Sequence, residues 1–217
     1  MTGSADFLLL IVVALSLSIV ATGRLTSCVR ASALQGVALS LLPLALWGRV
    51  LDRHVVPVAL MSLGALAVKA VVIPLLLYRA IREANVRREA EPFISLHLSV
   101  LIAAALVGFS FWLGTVLVLP KPAPTPLLVP MAFATLLIGF LVLIVRRKAI
   151  TQVVGYLMLE NGIFIFGQIL AEEIPLAVEL SILLDLLVGV FVMGIAINHI
   201  SREFEHIDTE LLSTLKD

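Results

Sequence analysis

The chain has 217 residues, 61% of them hydrophobic, and its 15 basic and 15 acidic residues cancel. A soluble domain would be nearer half apolar, in short periodic runs; here long apolar runs recur, so the expected class is an all-α polytopic integral membrane protein. No basic region is available for nucleic acid, and the single Cys28 excludes an internal disulfide or a multi-cysteine metal or iron–sulfur site.

Seven transmembrane helices are predicted, at about Ala5–Thr22, Ser32–Val50, Val55–Tyr78, Ile94–Leu119, Leu127–Val145, Ala149–Ala171 and Pro175–His199. Each has the ~17–25 residues that a hydrocarbon core of ~30 Å requires. None shows the alternation of an outer-membrane strand. The first is read as a span and not as a signal peptide: it opens on Asp6, and no clear small-x-small site precedes Arg24. With the N-terminus outside, inner segments carry eleven Lys and Arg and outer loops three, Arg49, Arg53 and Lys121. The positive-inside rule then gives N-out, C-in.

Pro43 and Pro74 fall within spans and are expected to kink them, as packing features or as hinges. Residues 121–126 alternate Pro with other residues and read as a stiff outer loop; Arg146, Arg147 and Lys148 read as a tight inner turn. Beyond His199, apolar residues at Ile200, Phe204, Ile207, Leu211 and Leu215 alternate with charge, the pattern of a short amphipathic cytoplasmic helix. Its acidic excess suits a protein groove better than an anionic lipid surface.

Ionisable groups inside spans are the candidate site. Glu160, followed by Asn161, sits in the sixth, Asp185 in the seventh and Lys69 in the third. A charge at mid-bilayer costs at least ~2.5–3.5 kcal/mol on insertion scales, so such groups face a bundle interior, a partner or water. Glu160 and Asp185 fall at a similar depth, roughly 18–20 Å from the outer turn at 1.5 Å per residue. Two carboxylates so placed suit a proton relay; the alternative is a polar lock for helix packing. Lys69 is a candidate counter-charge, here or toward a partner, with a Schiff-base lysine as the sharper alternative. Glu179 is a secondary exit candidate. His97, near the inner end of the fourth span, reads equally as relay or interfacial residue. Asn161, with Gln152 and Gln168, can hydrogen-bond across helices. No catalytic triad, phosphate loop or clustered metal ligands stand out, so neither a catalytic centre nor a bound cofactor or metal is expected.

Gly155-Tyr-Leu-Met-Leu-Glu160-Asn161-Gly162 and the tail from His199 through Asp208 resemble the hydrogenase-4 component E family, over nearly the whole chain. The last three spans are also similar to the K-type subunit of respiratory complex I. An Arg-Arg turn, Arg146-Arg147, opens the second of them, and Asp185 precedes Gly189 by four as that family's third-helix glutamate does. The family's second-helix glutamate corresponds to Leu157 here, with Glu160 one turn further on.

The resemblance implies three regions: a four-helix part over 1–126, a K-type-like part over 127–199 and a tail over 200–217. It implies a non-catalytic subunit in a prokaryotic inner membrane, of a formate hydrogenlyase-like or complex I-like respiratory complex. Its partners would be antiporter-like membrane subunits and a membrane-anchored hydrogenase module that holds the nickel and iron–sulfur centres. The buried carboxylates would contribute to proton translocation coupled to electron transfer. A structural scaffold of the same membrane arm is the alternative; a small independent carrier is a third reading, weakened by the lack of clear inverted repeats.

Overall fold

The computed structural model describes residues 3–47, 62–83, 93–119 and 122–169. Among these, six helices are long and apolar enough to cross a membrane. The seventh predicted span, the tail, Glu179 and Asp185 lie outside the described residues.

Helix α1 is Gly3–Ala21 and α2 is Leu25–Trp47. Helix α3 covers 62–83 and changes pitch at its centre, where Ala67–Val72 forms a π turn before Ile73–Glu83 resumes the α-helix. Then come α4 (Leu96–Val116), α5 (Leu128–Val145) and α6 (Ala149–Gly167). The second helix begins seven residues before the predicted Ser32. Arg24 and Arg30 suggested a loop there. Arg30 is instead carried on an exposed helical face, where a long side chain can reach polar surroundings. The turn between α1 and α2 is only Thr22, Gly23 and Arg24, and the Arg24 carbonyl accepts from the amides of Ser27 and Cys28 at 3.0 and 3.1 Å.

Helices α1, α2, α6 and α5 form a four-sided bundle, each packed on the next; α3 lies against α2, and α4 against α5 and α1. The tightest seam is between α5 and α6. A Cβ on Gly139 would lie 2.6 Å from the Leu159 amide nitrogen, and one on Gly162 2.6 Å from that of Leu136. Only glycine lets backbones approach so closely, which is how membrane helices gain packing without a hydrophobic drive.

The interior is two apolar clusters stacked along the bundle. One gathers Ile19, Leu25, Leu77, Val142 and Val154 near the α1–α2 turn. The other gathers Leu9, Leu39, Leu128, Met131 and Ile165 toward the opposite end. Between them, Ser16, Gln35, Lys69, Glu160 and Asn161 form a buried polar layer.

The cationic turn after α5 has a structural part that its sequence did not suggest. Arg146 is buried, and its guanidinium donates to the carbonyls of Val20 at 2.9 Å, Thr22 at 3.0 Å and Ile19 at 3.5 Å. It thereby satisfies the orphan carbonyls at the end of α1 and sets a positive charge on the negative end of that helix dipole. Its own carbonyl accepts from Gln152 Nε2 at 3.0 Å. Beside it the Arg147 guanidinium lies 4.4 Å from the ring centre of Phe93.

Candidate functional site

The site lies where α2, α3 and α6 meet. On α6, Glu160 and Asn161 both turn inward and are 2% and 4% exposed. On α3, Lys69 sits in the π turn, where Ile73 N–H bonds to Val68 O, five residues back. Pro74 follows directly. Proline supplies no N–H to the α-helical ladder and its ring crowds the carbonyl four residues before, so a wider turn there relieves a real conflict. On α2, Gly36 leaves room for the Lys69 backbone, whose carbonyl carbon would be 2.9 Å from an added Cβ.

Lys69 Nζ donates to Glu160 Oε1 at 2.7 Å and to Asn161 Oδ1 at 3.4 Å. It also lies 5.3 Å from the ring centre of Phe164, one turn after Glu160. Asn161 Nδ2 donates to Gln35 Oε1 at 3.5 Å. Gln35 Nε2 donates to Ser16 Oγ at 2.8 Å and to Val12 O at 3.0 Å, and Ser16 Oγ donates to Val12 O at 2.9 Å. An ammonium is a donor only, so it fixes which way the Asn161 amide points, and Asn161 in turn fixes Gln35. Every dipole in the run presents its oxygen toward the lysine. The run ends on a backbone carbonyl, which supports the pair but offers no onward proton carrier.

A cavity of about 10 Å³, lined by Ser32, Gly36, Lys69, Ile73, Leu157 and Asn161, adjoins the pair. That is about the room one water needs, with Ser32, Lys69 and Asn161 as polar walls.

Of the residues expected from sequence, the structure therefore joins Glu160, Asn161 and Lys69. Lys69 meets its carboxylate within this chain. His97 is exposed in the first turn of α4 and takes no part in the hydrogen-bonded run. Asp185 and Glu179 lie outside the described residues. Sequence reading passed over Gln35 and Ser16, although Gln35 is a lone carboxamide in the apolar stretch after Arg30. Among the described residues no three His, Cys, Asp or Glu side chains group closely enough to hold a metal ion.

No protein-family profile matches the chain, and no solved structure does. The uncharacterized protein Rv0085 of Mycobacterium tuberculosis is 38% identical over 194 residues, covering 89% of this chain and 87% of that protein. Hydrogenase-4 component E of Escherichia coli and of Shigella flexneri is 26% identical over 155 residues, covering 71% of this chain and 72% of the relative. That alignment is shorter than the near-complete likeness read from the motifs. The chain is a multi-pass membrane protein that belongs to one family with the mycobacterial protein and is a distant homologue of hydrogenase-4 component E.

Proposed function

We propose that the protein is a non-catalytic membrane subunit of a hydrogenase-4-like respiratory complex, and that Lys69 and Glu160 take part in its proton translocation. The observation that carries this is the ion pair itself, buried at mid-depth and only 2.7 Å long. A proton that arrives on Glu160 leaves Lys69 as an uncompensated buried charge, and one that leaves Lys69 does the same to Glu160. The protonation of each is thereby tied to the other. Such coupling is what a relay needs to pass a proton in one direction when a neighbouring site changes charge.

The chain is oriented N-out, C-in in this reading, with Arg24 and the Arg146 turn at the cytoplasmic face of a prokaryotic membrane. Its partners are antiporter-like membrane subunits and a hydrogenase module. Leu157, the position that the K-type likeness gives to a carboxylate, lines the cavity beside Lys69. A carboxylate there would face the same lysine, so Glu160 one turn on can serve the same partner. Asp185 is the next carboxylate in the path, and Glu179, Asn161 and His97 are its secondary members. The region 127–199 then brings the relay carboxylates and the first four spans bring Lys69.

The test is coupling in inverted membrane vesicles. Lys69→Met combined with Glu160→Leu removes both charges and keeps the packing. The expected result is normal complex abundance and electron transfer with proton translocation lost. Depleted complex in this neutral double variant would instead favour a scaffold, in which the pair only joins α3 to α6. Undiminished translocation would reject the relay.

A further inference from the structure

On the other side of α3 from the buried pair lies a groove of about 450 Å³ between α2 and α3. Its volume falls within the ~300–1,000 Å³ of ligand pockets. The small side chains of Ala33 and Ala70 open it, and Leu34, Val71 and Leu75, all about half exposed or more, form its apolar rim. The polar side chains of its lining are those of Arg30 and Tyr78. Arg30 lies five residues inside α2 and Tyr78 five residues before the end of α3. In antiparallel neighbours that is a similar depth, about 7.5 Å in from the helix ends.

Arg30 makes no hydrogen bond or ion pair among the described residues. From that depth the long side chain brings its guanidinium to the interface, where anions are its natural partners. Its planar fork matches a phosphate. An apolar trough with one cation at its interfacial end has the polarity of a single lipid molecule.

We propose that this groove holds an anionic phospholipid, with its phosphodiester on Arg30 and Tyr78 and one acyl chain along Ala33, Leu34, Ala70 and Leu75. Charge complementarity selects the occupant. A zwitterionic lipid brings its own cation to compete with Arg30, whereas phosphatidylglycerol brings a net negative charge. A juxtamembrane arginine near an anionic surface favours it by about fivefold. The inference needs only that α2 and α3 lie in a bilayer, and it stands apart from the proton reading.

The experiment is photolabelling of the purified full chain in lipid nanodiscs. Acyl-photoactivatable phosphatidylglycerol and phosphatidylcholine are compared, and adducts are mapped by mass spectrometry. The expected result is phosphatidylglycerol adducts on the α2 and α3 segments that carry Ala33, Leu34, Ala70 and Leu75. Unlabelled phosphatidylglycerol should compete about fivefold better than phosphatidylcholine. Arg30→Gln should abolish that preference, and Arg82→Gln, an exposed cation outside the groove, should leave it intact. Equal labelling by the two lipids, adducts elsewhere, or a preference that survives Arg30→Gln would each overturn the proposal. So would a tightly held quinone or partner helix that neither lipid displaces. If Arg30→Gln fails to fold, the competition in the unsubstituted protein decides the matter.

Discussion

A Cβ on Gly36 would lie 2.8 Å from the Cβ of Lys69 and 2.9 Å from its carbonyl oxygen. The lysine thus reaches Glu160 because a neighbouring helix has no side chain where its backbone passes. Gly36→Ala forces α2 and α3 apart, since backbone atoms cannot rotate out of the way as a side-chain tip can. The expected cost is about 1–3 kcal/mol, the range for overpacking a tight interior. Unfolding of the purified protein in denaturing detergent would measure it. Gly64→Ala is the control, because a Cβ there meets nothing within 4 Å. Equal effects at both positions would disprove the role given to Gly36.

Breaking the buried pair from one side should be worse than removing it. Glu160→Leu alone leaves a buried ammonium and is expected to cost about 3–5 kcal/mol; adding Lys69→Met should recover most of that loss. The cavity that adjoins the pair is too small to hydrate a stranded charge freely. A double-mutant cycle on detergent unfolding checks this. Additive costs would mean that the two side chains are not energetically coupled.

These residues also mark how far the sequence could be read. Glu160 and Lys69 stood out because a charge in a long apolar run demands an explanation. Their pairing did not, since it depends on which faces α3 and α6 present, and the π turn at Ala67–Val72 changes the face count of α3. Six of the predicted spans have helices because hydropathy and length alone set them. The start of α2 was missed because Arg30 looks the same on a helix surface as in a loop. Gln35 and Ser16 are uncharged, and a lone hydroxyl or amide in a span commonly bonds within its own helix, as Ser110 does with the Leu106 carbonyl at 2.7 Å. Nothing local in their sequence announces that they close a run across four helices.

The α5–α6 seam gives a third prediction. Gly139, Gly155 and Gly162 each face backbone on the other helix, with approaches of 2.6, 2.9 and 2.6 Å for an added Cβ. Gly162→Leu should therefore displace α6 along the stretch that carries Glu160 and Asn161. The expected outcome is a destabilised protein in which a cysteine pair introduced across α3 and α6, beside the ion pair, no longer cross-links. Leu at Gly108, where a Cβ meets nothing within 4 Å, should leave that cross-link unchanged. Retained cross-linking in Gly162→Leu would show that the seam does not position the pair.

Arg146 supplies the last prediction, because it resembles its neighbours in sequence but not in surroundings. It is 2% exposed, whereas Arg147 is exposed and stacked on Phe93. Losing the guanidinium from Arg146 strands the carbonyls of Val20 and Thr22 at a buried helix end. Hydrogen bonds from a charged donor contribute about 1.5–3 kcal/mol each, and the helix-dipole contribution goes with them. Arg146→Gln is expected to destabilise the protein by at least about 2 kcal/mol and to raise amide hydrogen exchange in the last turn of α1. Arg146→Lys should rescue only in part: all three contacts come from the terminal Nη2, and the lysine side chain ends one bond short of that position. Arg147→Gln should cost less, about 0.5–1 kcal/mol, the value of an exposed cation–π contact. Hydrogen exchange resolved by peptide, on all three variants, separates these outcomes. If Arg146→Gln and Arg147→Gln behave alike, the turn acts only through its charge, and the assignment of Arg146 as the cap of α1 fails.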